Sequence, residues 1–402
     1  MKPAFGIVLL LLLGVTAECR GAIDAGTLKI GVAGPRPENA QQRSEPYGKN
    51  ALELFKQDFA GELGRKFRVE VGDIVLRLDF VYREYGNVSE AVAVANEFAH
   101  DDSIAAVIGY PTSAKATHVA TIFDANKLVL ITPTATNPHV TRGHDSVFSM
   151  IYTDDWQGAV IAAYMRKLQG WKNVALIYED SPKKDNIYER GLAKSFRVAA
   201  RDYGLNIVDT LRVPADSDLM RIFHASETVP AKDPLDAVVL FTSSEEAPEI
   251  VLKIRQRDPL VPLVVPDGLS GRTFVREVRT IHQALHLSQP RMLVANRLFS
   301  ELSPLKAVEF RQAYKSTYGG EEPQIYEVFT YDAALLITWA AMKALAEERD
   351  AKLSGKDLRL AVQNNLRTLD CRRRAVPGIS GDLYFDSEGA MSRNVLFAWI
   401  PD

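Results

Sequence analysis

Short apolar segments with strand character alternate with segments of helical spacing along almost the whole chain. This alternation constrains the fold more than any other feature. It starts with a strand-like run at residues 28–33, followed by helical spacing through residues 47–59. Apolar residues three and four positions apart predict helices, and short apolar runs predict buried strands. Because strand–helix–strand units of this length favour parallel sheets covered by helices on both faces, the sequence predicts an α/β fold.

The same pattern restarts in the second half, with a strand predicted at residues 174–178 and a helix at residues 189–203. A chain of 402 residues is longer than one hydrophobic core usually supports, so two α/β domains with a cleft between them are expected. Further helices are predicted at 247–256, 304–318, 328–346 and 356–366, and further strands at 237–241, 263–265, 291–295, 382–385 and 395–399.

The first 21 residues have the features of an export signal. Residues 5–15 form an apolar run that is too short to span a bilayer, which needs roughly 20 residues, but that is typical of a signal sequence. Small residues allow cleavage after Ala17 or after Gly21. Lipid attachment at Cys19 is the less favoured alternative, because Glu18 precedes it. We therefore expect an exported, periplasmic protein.

Charge, cysteine content and motifs exclude several classes of function. A net charge of −3 supplies no basic field, so no nucleic-acid partner is expected. Two cysteines build neither a disulfide scaffold nor a four-thiolate zinc site. Phosphate-loop, dinucleotide and nucleophile-elbow motifs are absent from the sequence, so we expect no cofactor and no enzymatic activity.

Three aromatic or imidazole side chains stand out but fit a structural role better. His282 and His286 are four residues apart on a predicted helix, a spacing that can bind metal, yet no further ligand is evident. We expect both to be surface histidines. Trp156 is expected to pack at a connection between the domains rather than to line the cleft.

The loops that follow predicted strands carry the candidate ligand-binding groups, because ligands of open α/β sheets lie beyond the carboxyl ends of the strands. Thr112 and Ser113 follow one strand and open a helix, whose N-terminus favours an anion. Ser113 is also a suitable N-cap for that helix.

Residues 106–142 resemble the corresponding stretch of the leucine/isoleucine/valine-binding family of ABC importers, the type I periplasmic binding proteins. The likeness extends over nearly the whole chain after the signal. It includes IGVAGP at 30–35, Asp-x-x-Gln-Gly at 154–158, Ile-Tyr at 187–188, Pro-Asp-Gly at 266–268 and Tyr-Asp-Ala at 331–333.

This resemblance implies two Rossmann-like lobes around a central cleft, joined by three crossovers near residues 148–153, 295–297 and 377–380. After a signal at residues 1–21, the first lobe is expected to contain residues 22–149 and 296–377. The second is expected to contain residues 150–295 and 378–402, with the last strands returning to it.

The resemblance also implies the ligand-binding residues. The loops of the first lobe would hold a ligand carboxylate, with main-chain groups and hydroxyls. Asp267 and Tyr188 would meet the ligand from the second lobe, Asp267 as the partner of an ammonium group. The residues expected on the first-lobe side are Thr112, Ser113, Thr134, Ala135 and Thr136.

The function implied is that of a monomeric solute-binding protein that captures an amino acid or a related small carboxylate and docks on a membrane permease. Two departures from the family pattern leave the ligand open. Glu189 stands where the family usually has glycine, and residues 242–245 read Thr-Ser-Ser-Glu where the family often has glycines and tyrosines. The alternatives are an apolar ligand (aromatic, lipid or sterol), an amide, or a sensor without a transport role.

Overall fold

The computed structural model describes residues 23–37, 45–61, 63–66, 74–181, 185–213, 235–242, 245, 247–287, 292–295, 305–347, 355–391 and 397–399. The predicted signal, Cys19, and parts of the 242–245 loop and the 295–297 crossover lie outside this range. The fold is built around two separate sheets.

Within the described residues, a five-stranded sheet with the order β2-β1-β3-β4-β5 forms the core of the first lobe. Its paired strands are all parallel, as predicted from the alternating pattern. β3 and β4 are buried along their whole length. The strands are β1 (Ile23–Pro35), β2 (Ile74–Tyr85), β3 (Ile104–Gly109), β4 (Val129–Thr132) and β5 (Val147–Ser149).

The second lobe is built on a sheet with the order β13-β10-β9-β8-β6-β7, in which β13 alone among the described strands pairs antiparallel. The predicted strands at 237–241 and 263–265 have the observed bounds. The strands are β6 (Asn173–Glu179), β7 (Asn206–Val213), β8 (Ala237–Phe241), β9 (Leu263–Val265), β10 (Met292–Ala295) and β13 (Phe397–Trp399).

Helices flank both sheets, and their apolar stripes face the strands. The predicted helices are present, each within a few residues of its expected bounds. The described helices, of which α4 was not predicted and α7 was predicted without bounds, are α1 (Lys49–Ala60), α2 (Val88–His100), α3 (Ser113–Ala125), α4 (Asp154–Ala163), α5 (Ile187–Tyr203), α6 (Ala247–Arg257), α7 (Arg272–Ala284), α8 (Leu305–Thr317), α9 (Ile325–Glu347) and α10 (Gly355–Arg367).

The segment between α10 and β13 differs from expectation. β11 (Val376–Pro377) and β12 (Asp382–Leu383) pair with each other in a small ribbon. Farther on, Ala390 bridges to Ser149 at the end of β5. Of the two predicted terminal strands, only β13 joins the second sheet. The predicted strand at 382–385 is wrong in extent and in place, because only residues 382–383 form a strand, which pairs with β11, and the N–H of Phe385 donates to the carbonyl of Leu369. The lobe boundaries inferred from the sequence stay a prediction.

Helix α9 is the central helix of the first lobe. Among the described residues it is the helix long and apolar enough to cross a membrane, and 89% of its most apolar window is buried inside the protein. Leu336, Ile337 and Ala340 are fully buried, so α9 is a core helix of the protein.

Candidate functional site

The loops after β3 and β4 meet at the carboxyl edge of the first sheet. Ser113 is the first residue of α3, and its Oγ accepts the N–H groups of Thr136 at 3.3 Å and of Asn137 at 3.2 Å. Thr112, not Ser113, occupies the N-cap position, and it makes no side-chain capping bond. The serine therefore joins two loops instead of capping its own helix.

The remaining groups of the second loop bond within the first lobe. Thr134 donates its hydroxyl to the carbonyl of Pro111 at 2.8 Å. The N–H of Ala135 donates to Thr132 Oγ1 at 3.3 Å, and the carbonyl of Ala135 accepts from Ser149 Oγ. Thr134 is thus fixed toward its own lobe, and Thr112 is an exposed residue at the rim.

In the second lobe, the structure brings Tyr188 and Asp267, both selected through the resemblance, into contact with each other. The phenol of Tyr188, at the start of α5, donates to Asp267 Oδ1 at 2.5 Å and accepts the N–H of Gly268 at 3.3 Å. Burial raises the pKa of Asp267 above its usual value, although the Tyr188 and Gln157 side chains oppose the shift. Burial also raises the pKa of Tyr188, and the Asp267 charge adds to it.

Asp154 was not selected as a site residue from the sequence, yet the charge of Asp267 acts on its carboxyl group. It begins α4, it is 0% exposed, and neither carboxylate oxygen has a hydrogen-bond partner among the described residues. Its N–H donates to the carbonyl of Thr136 at 2.7 Å, which places the carboxyl beside the first-lobe loop.

The pKa of Asp154 is raised well above its usual range, first by burial and then by the charges of Asp267, Asp155 and Glu189. The Thr136 side chain, a nearby donor that does not reach hydrogen-bonding geometry with either oxygen, opposes the shift. A cation that enters the cleft would therefore stabilise the charged form of this carboxyl group.

Two neutral polar residues complete this wall. Tyr152 and Gln157 are both buried, and the Gln157 amide donates to the Tyr152 phenol at 3.4 Å. Burial raises the pKa of Tyr152, with the Asp267 charge as the next cause. We name Tyr152, Asp154, Gln157, Tyr188 and Asp267 the acidic wall.

Contacts between the lobes surround the acidic wall. Asn137 donates from Nδ2 to the carbonyl of Ile187 at 3.3 Å, and His118 Nε2 lies 3.0 Å from Asp185 Oδ2. At Gly191 of α5, an added Cβ would stand 2.7 Å from Asn137 Nδ2 and 3.4 Å from Asp154 Oδ2. The lobes therefore approach closely on this side of the cleft.

Sequence reasoning missed Asp154 because an acidic residue in the first turn of a helix is expected for electrostatic reasons alone. Thr153 before it caps α4 by accepting the N–H of Trp156 at 3.4 Å, which fits the same explanation. The signal available was the Asp-x-x-Gln-Gly pattern, whose Asp and Gln both join the acidic wall.

The structure also places the two histidines and the tryptophan that the sequence analysis considered. His282 is buried in α7, so its expected surface position is wrong. His286 follows the end of that helix with φ of 49°, so the pair does not share one helical face. No group of three potential metal ligands occurs among the described residues.

Trp156, expected to pack, is instead 51% exposed and lines a surface cavity of about 350 Å³ with Tyr152 and Met391.

Two α/β lobes with polar groups converging from both define a two-lobed ligand-binding protein. The profile of the family described as "Periplasmic binding protein" matches residues 27–400, and the chain belongs to that family. This confirms the fold class and the family inferred from the resemblance.

Individual relatives agree with this family. An "Amino acid binding protein" of Pseudomonas aeruginosa is 31% identical over 182 residues, which are 44% of this chain and 45% of the relative. The chain spans about half the length of the curated relatives it matches.

Solved structures match over a larger share. An ABC transporter substrate-binding protein from Desulfitobacterium hafniense, in complex with Leu, has a TM-score of 0.71 at 22% identity, covering 94% of this chain and 98% of that one. A solute-binding protein from R. palustris, in complex with benzoate, has a TM-score of 0.68 at 17% identity and covers 94% of both chains. At such identities the likeness concerns the fold.

Proposed function

We propose that this protein is an exported solute-binding protein of an ABC import system that captures an amino acid or a related small carboxylate between its lobes. The observation that carries the proposal is the buried, unpartnered carboxyl of Asp154, beside Asp267 of the second lobe and Thr136 of the first. A buried charge without a partner is costly, so such a group is expected where a ligand supplies the partner. We propose no catalytic role and no cofactor.

In this proposal the acidic wall holds the ammonium group of the ligand. Asp267 is the second-lobe partner, and Tyr188 orients its carboxyl through the bond at 2.5 Å. The hydroxyl of Ser113, beside the main chain of Ala135 and Thr136, would meet the other end of the ligand. Thr112 and Thr134 belong to the rim of that end.

Ligand binding would favour the closed form because both lobes contribute groups that only closure brings to one ligand. The cross-lobe contacts at Asn137 and His118 add to that form without touching the ligand. The closed monomer would then dock on a membrane permease. Periplasmic location and the signal at residues 1–21 belong to the same proposal.

A thermal-shift panel of amino acids, small carboxylates, amides, aromatic acids and lipids tests this function on the purified chain. A ligand at about 100 times its Kd stabilises the folded state by about 2.7 kcal/mol. A lobe of this size shifts by roughly 2–4 °C per kcal/mol, so a rise of about 5–10 °C is expected with an amino-acid-class ligand.

The variants Asp267→Asn and Ser113→Ala test whether the ligand binds at the proposed site or elsewhere on the protein. Both are expected to reduce the ligand-induced shift, because each removes a group that faces the ligand. If both variants keep the wild-type affinity, the proposed site is wrong. A shift with lipids or aromatic acids, and none with any amino acid, would replace the proposed ligand class by the apolar alternative.

A further inference from the structure

We propose that the ligand carries a net positive charge, as a small amine or amino-acid amide does, and that the cleft prefers such a cation to a zwitterionic amino acid. This inference rests on the proposed function: it keeps the site proposed for the ligand ammonium, and it assigns an uncharged group, instead of a carboxylate, to the other end of the ligand. It follows from the hydrogen-bond acceptors that stay unused on one side of the cleft and from the shortage of free donors on the other.

The acidic wall has unused hydrogen-bond acceptors. Both oxygens of Asp154 lack a partner among the described residues, and the side chain is fully buried. The Asp267 carboxyl, in contrast, receives the Tyr188 hydroxyl, and the Gln157 side chain and the Gly268 main chain also favour its charged form. A ligand ammonium has three N–H donors, so it matches this set of acceptors.

The opposite side has few unused donors. The N–H groups of Thr136 and Asn137 both donate to Ser113 Oγ. The N–H of Ala135 donates to Thr132, and the hydroxyl of Thr134 donates to Pro111. The Ser113 hydroxyl can still donate one hydrogen bond to a ligand carboxylate, but further donors would have to come from the internal bonds, whereas a neutral amide group needs less compensation.

The charged side chains near the cleft also favour a cationic ligand. The buried arginines of the described residues lie elsewhere: Arg255 donates to the carbonyl of Val261, and Arg359 donates to carbonyls at the end of α2 and in β3. No described cation contacts Asp154 or Asp267. A ligand with net charge +1 balances these carboxyls better than a zwitterion does.

Matched pairs of free acid and amide test the inference whatever side chain the pocket accepts. The probes are glycine and glycinamide, leucine and leucinamide, and phenylalanine and phenylalaninamide. Affinity is measured by calorimetry on the full chain at neutral pH. We expect the amide to bind at least tenfold more tightly than the acid in each pair that binds, because only the acid adds a carboxylate to the donor-poor side.

Asp154→Asn and Asp202→Asn form a matched pair of variants. Asp202 is an exposed aspartate near the end of α5, beside Arg201. Asp154→Asn should weaken the amide about tenfold or more and reduce the amide-over-acid ratio, whereas Asp202→Asn should change neither. If the Asp154 variant folds poorly, the amide-over-acid affinity ratio of the wild-type protein still tests the inference.

The outcomes separate the two proposals. Equal or tighter binding of the acids overturns the cationic preference and leaves the amino-acid site intact. Unchanged ratios in Asp154→Asn also overturn it. If no member of any pair binds, the amino-acid class of the proposed function fails together with this inference.

Discussion

At the residue scale, the most informative group is a carboxyl that costs the unliganded protein stability. The folded state raises the pKa of Asp154, so it holds a proton more tightly than the unfolded chain does. The contribution of this group to folding is therefore fullest below the ordinary aspartate pKa, and it is lost as pH rises toward the raised value. Near neutral pH, Asp154 opposes folding, which is typical of a residue kept for ligand binding.

Asp154→Asn should accordingly raise the thermal stability of the unliganded protein at pH 7 while it weakens ligand binding. An uncharged isostere avoids the desolvation of a carboxylate, and we expect a gain of about 1–3 kcal/mol. Differential scanning calorimetry at pH 5 and pH 7 should show the gain growing with pH. A variant less stable than wild type at pH 7 would mean that the carboxyl is a structural group.

At the scale of elements, two glycines on the paired helices α4 and α5 have different tasks. A Cβ at Gly158 would stand 2.7 Å from the backbone nitrogen of Phe196, which cannot move without shifting α5. A Cβ at Gly191 would meet the end of the Asn137 side chain, which can rotate away. The first glycine permits helix packing within one lobe, and the second permits close approach of the two lobes.

Gly158→Ala should therefore lower the free energy of unfolding by about 1–3 kcal/mol. Gly191→Ala should leave the unfolding temperature nearly unchanged and lower ligand affinity several-fold, because the displaced Asn137 amide loses its bond to Ile187 across the cleft. Chemical denaturation and calorimetric titration of both variants test this division. A reversal of the two effects would contradict it.

The central helix α9 is linked to the predicted third crossover by a buried carboxylate. Asp332 is 0% exposed and accepts the N–H groups of Ile379 and Ser380, each at 2.8 Å, together with the Ser380 hydroxyl. This set of bonds fixes the turn between β11 and β12 to the core of the first lobe.

Asp332→Asn should destabilise the protein by about 2–4 kcal/mol, since an amide replaces an acceptor oxygen by an NH₂ group that faces N–H donors. Asp370→Asn, at an exposed aspartate bonded to Arg374, is the matched control and should have little effect. Urea unfolding curves decide this; equal effects of the two substitutions would contradict the assigned role.

At the scale of the whole molecule, ligand binding should be linked to proton release. Burial raises the pKa values of Asp154 and Asp267 in the unliganded protein, and a ligand ammonium stabilises their charged forms. The complex then binds fewer protons than the free protein, so affinity should rise with pH above the ordinary aspartate pKa of about 3.9.

Calorimetric titrations at pH 6 in two buffers of different ionisation enthalpy measure this release directly. We expect the observed heats to differ in the direction of protons taken up by the buffer. Heats independent of the buffer would show that neither carboxyl changes its protonation on binding.

The sequence by itself determined the class of fold, because local patterns are enough to specify it. Apolar runs at 237–241 and 263–265 and the helical spacing at 247–256 each indicate an element without reference to the rest of the chain, and their alternation implies parallel sheets. Tyr188 and Asp267 were each selected through the resemblance as ligand contacts, which stays a prediction; the hydrogen bond between them is a finding of the structure.

Only the tertiary structure decided which polar groups are left without partners. Asp154 and Asp155 are adjacent and chemically identical in the sequence, yet one is fully buried without a partner and the other is bonded to Arg142 and Ser195. The placement of residues 382–385 away from the second sheet was likewise decided by long-range contacts. Burial and the absence of a partner depend on atoms distant along the chain, and no local pattern records them.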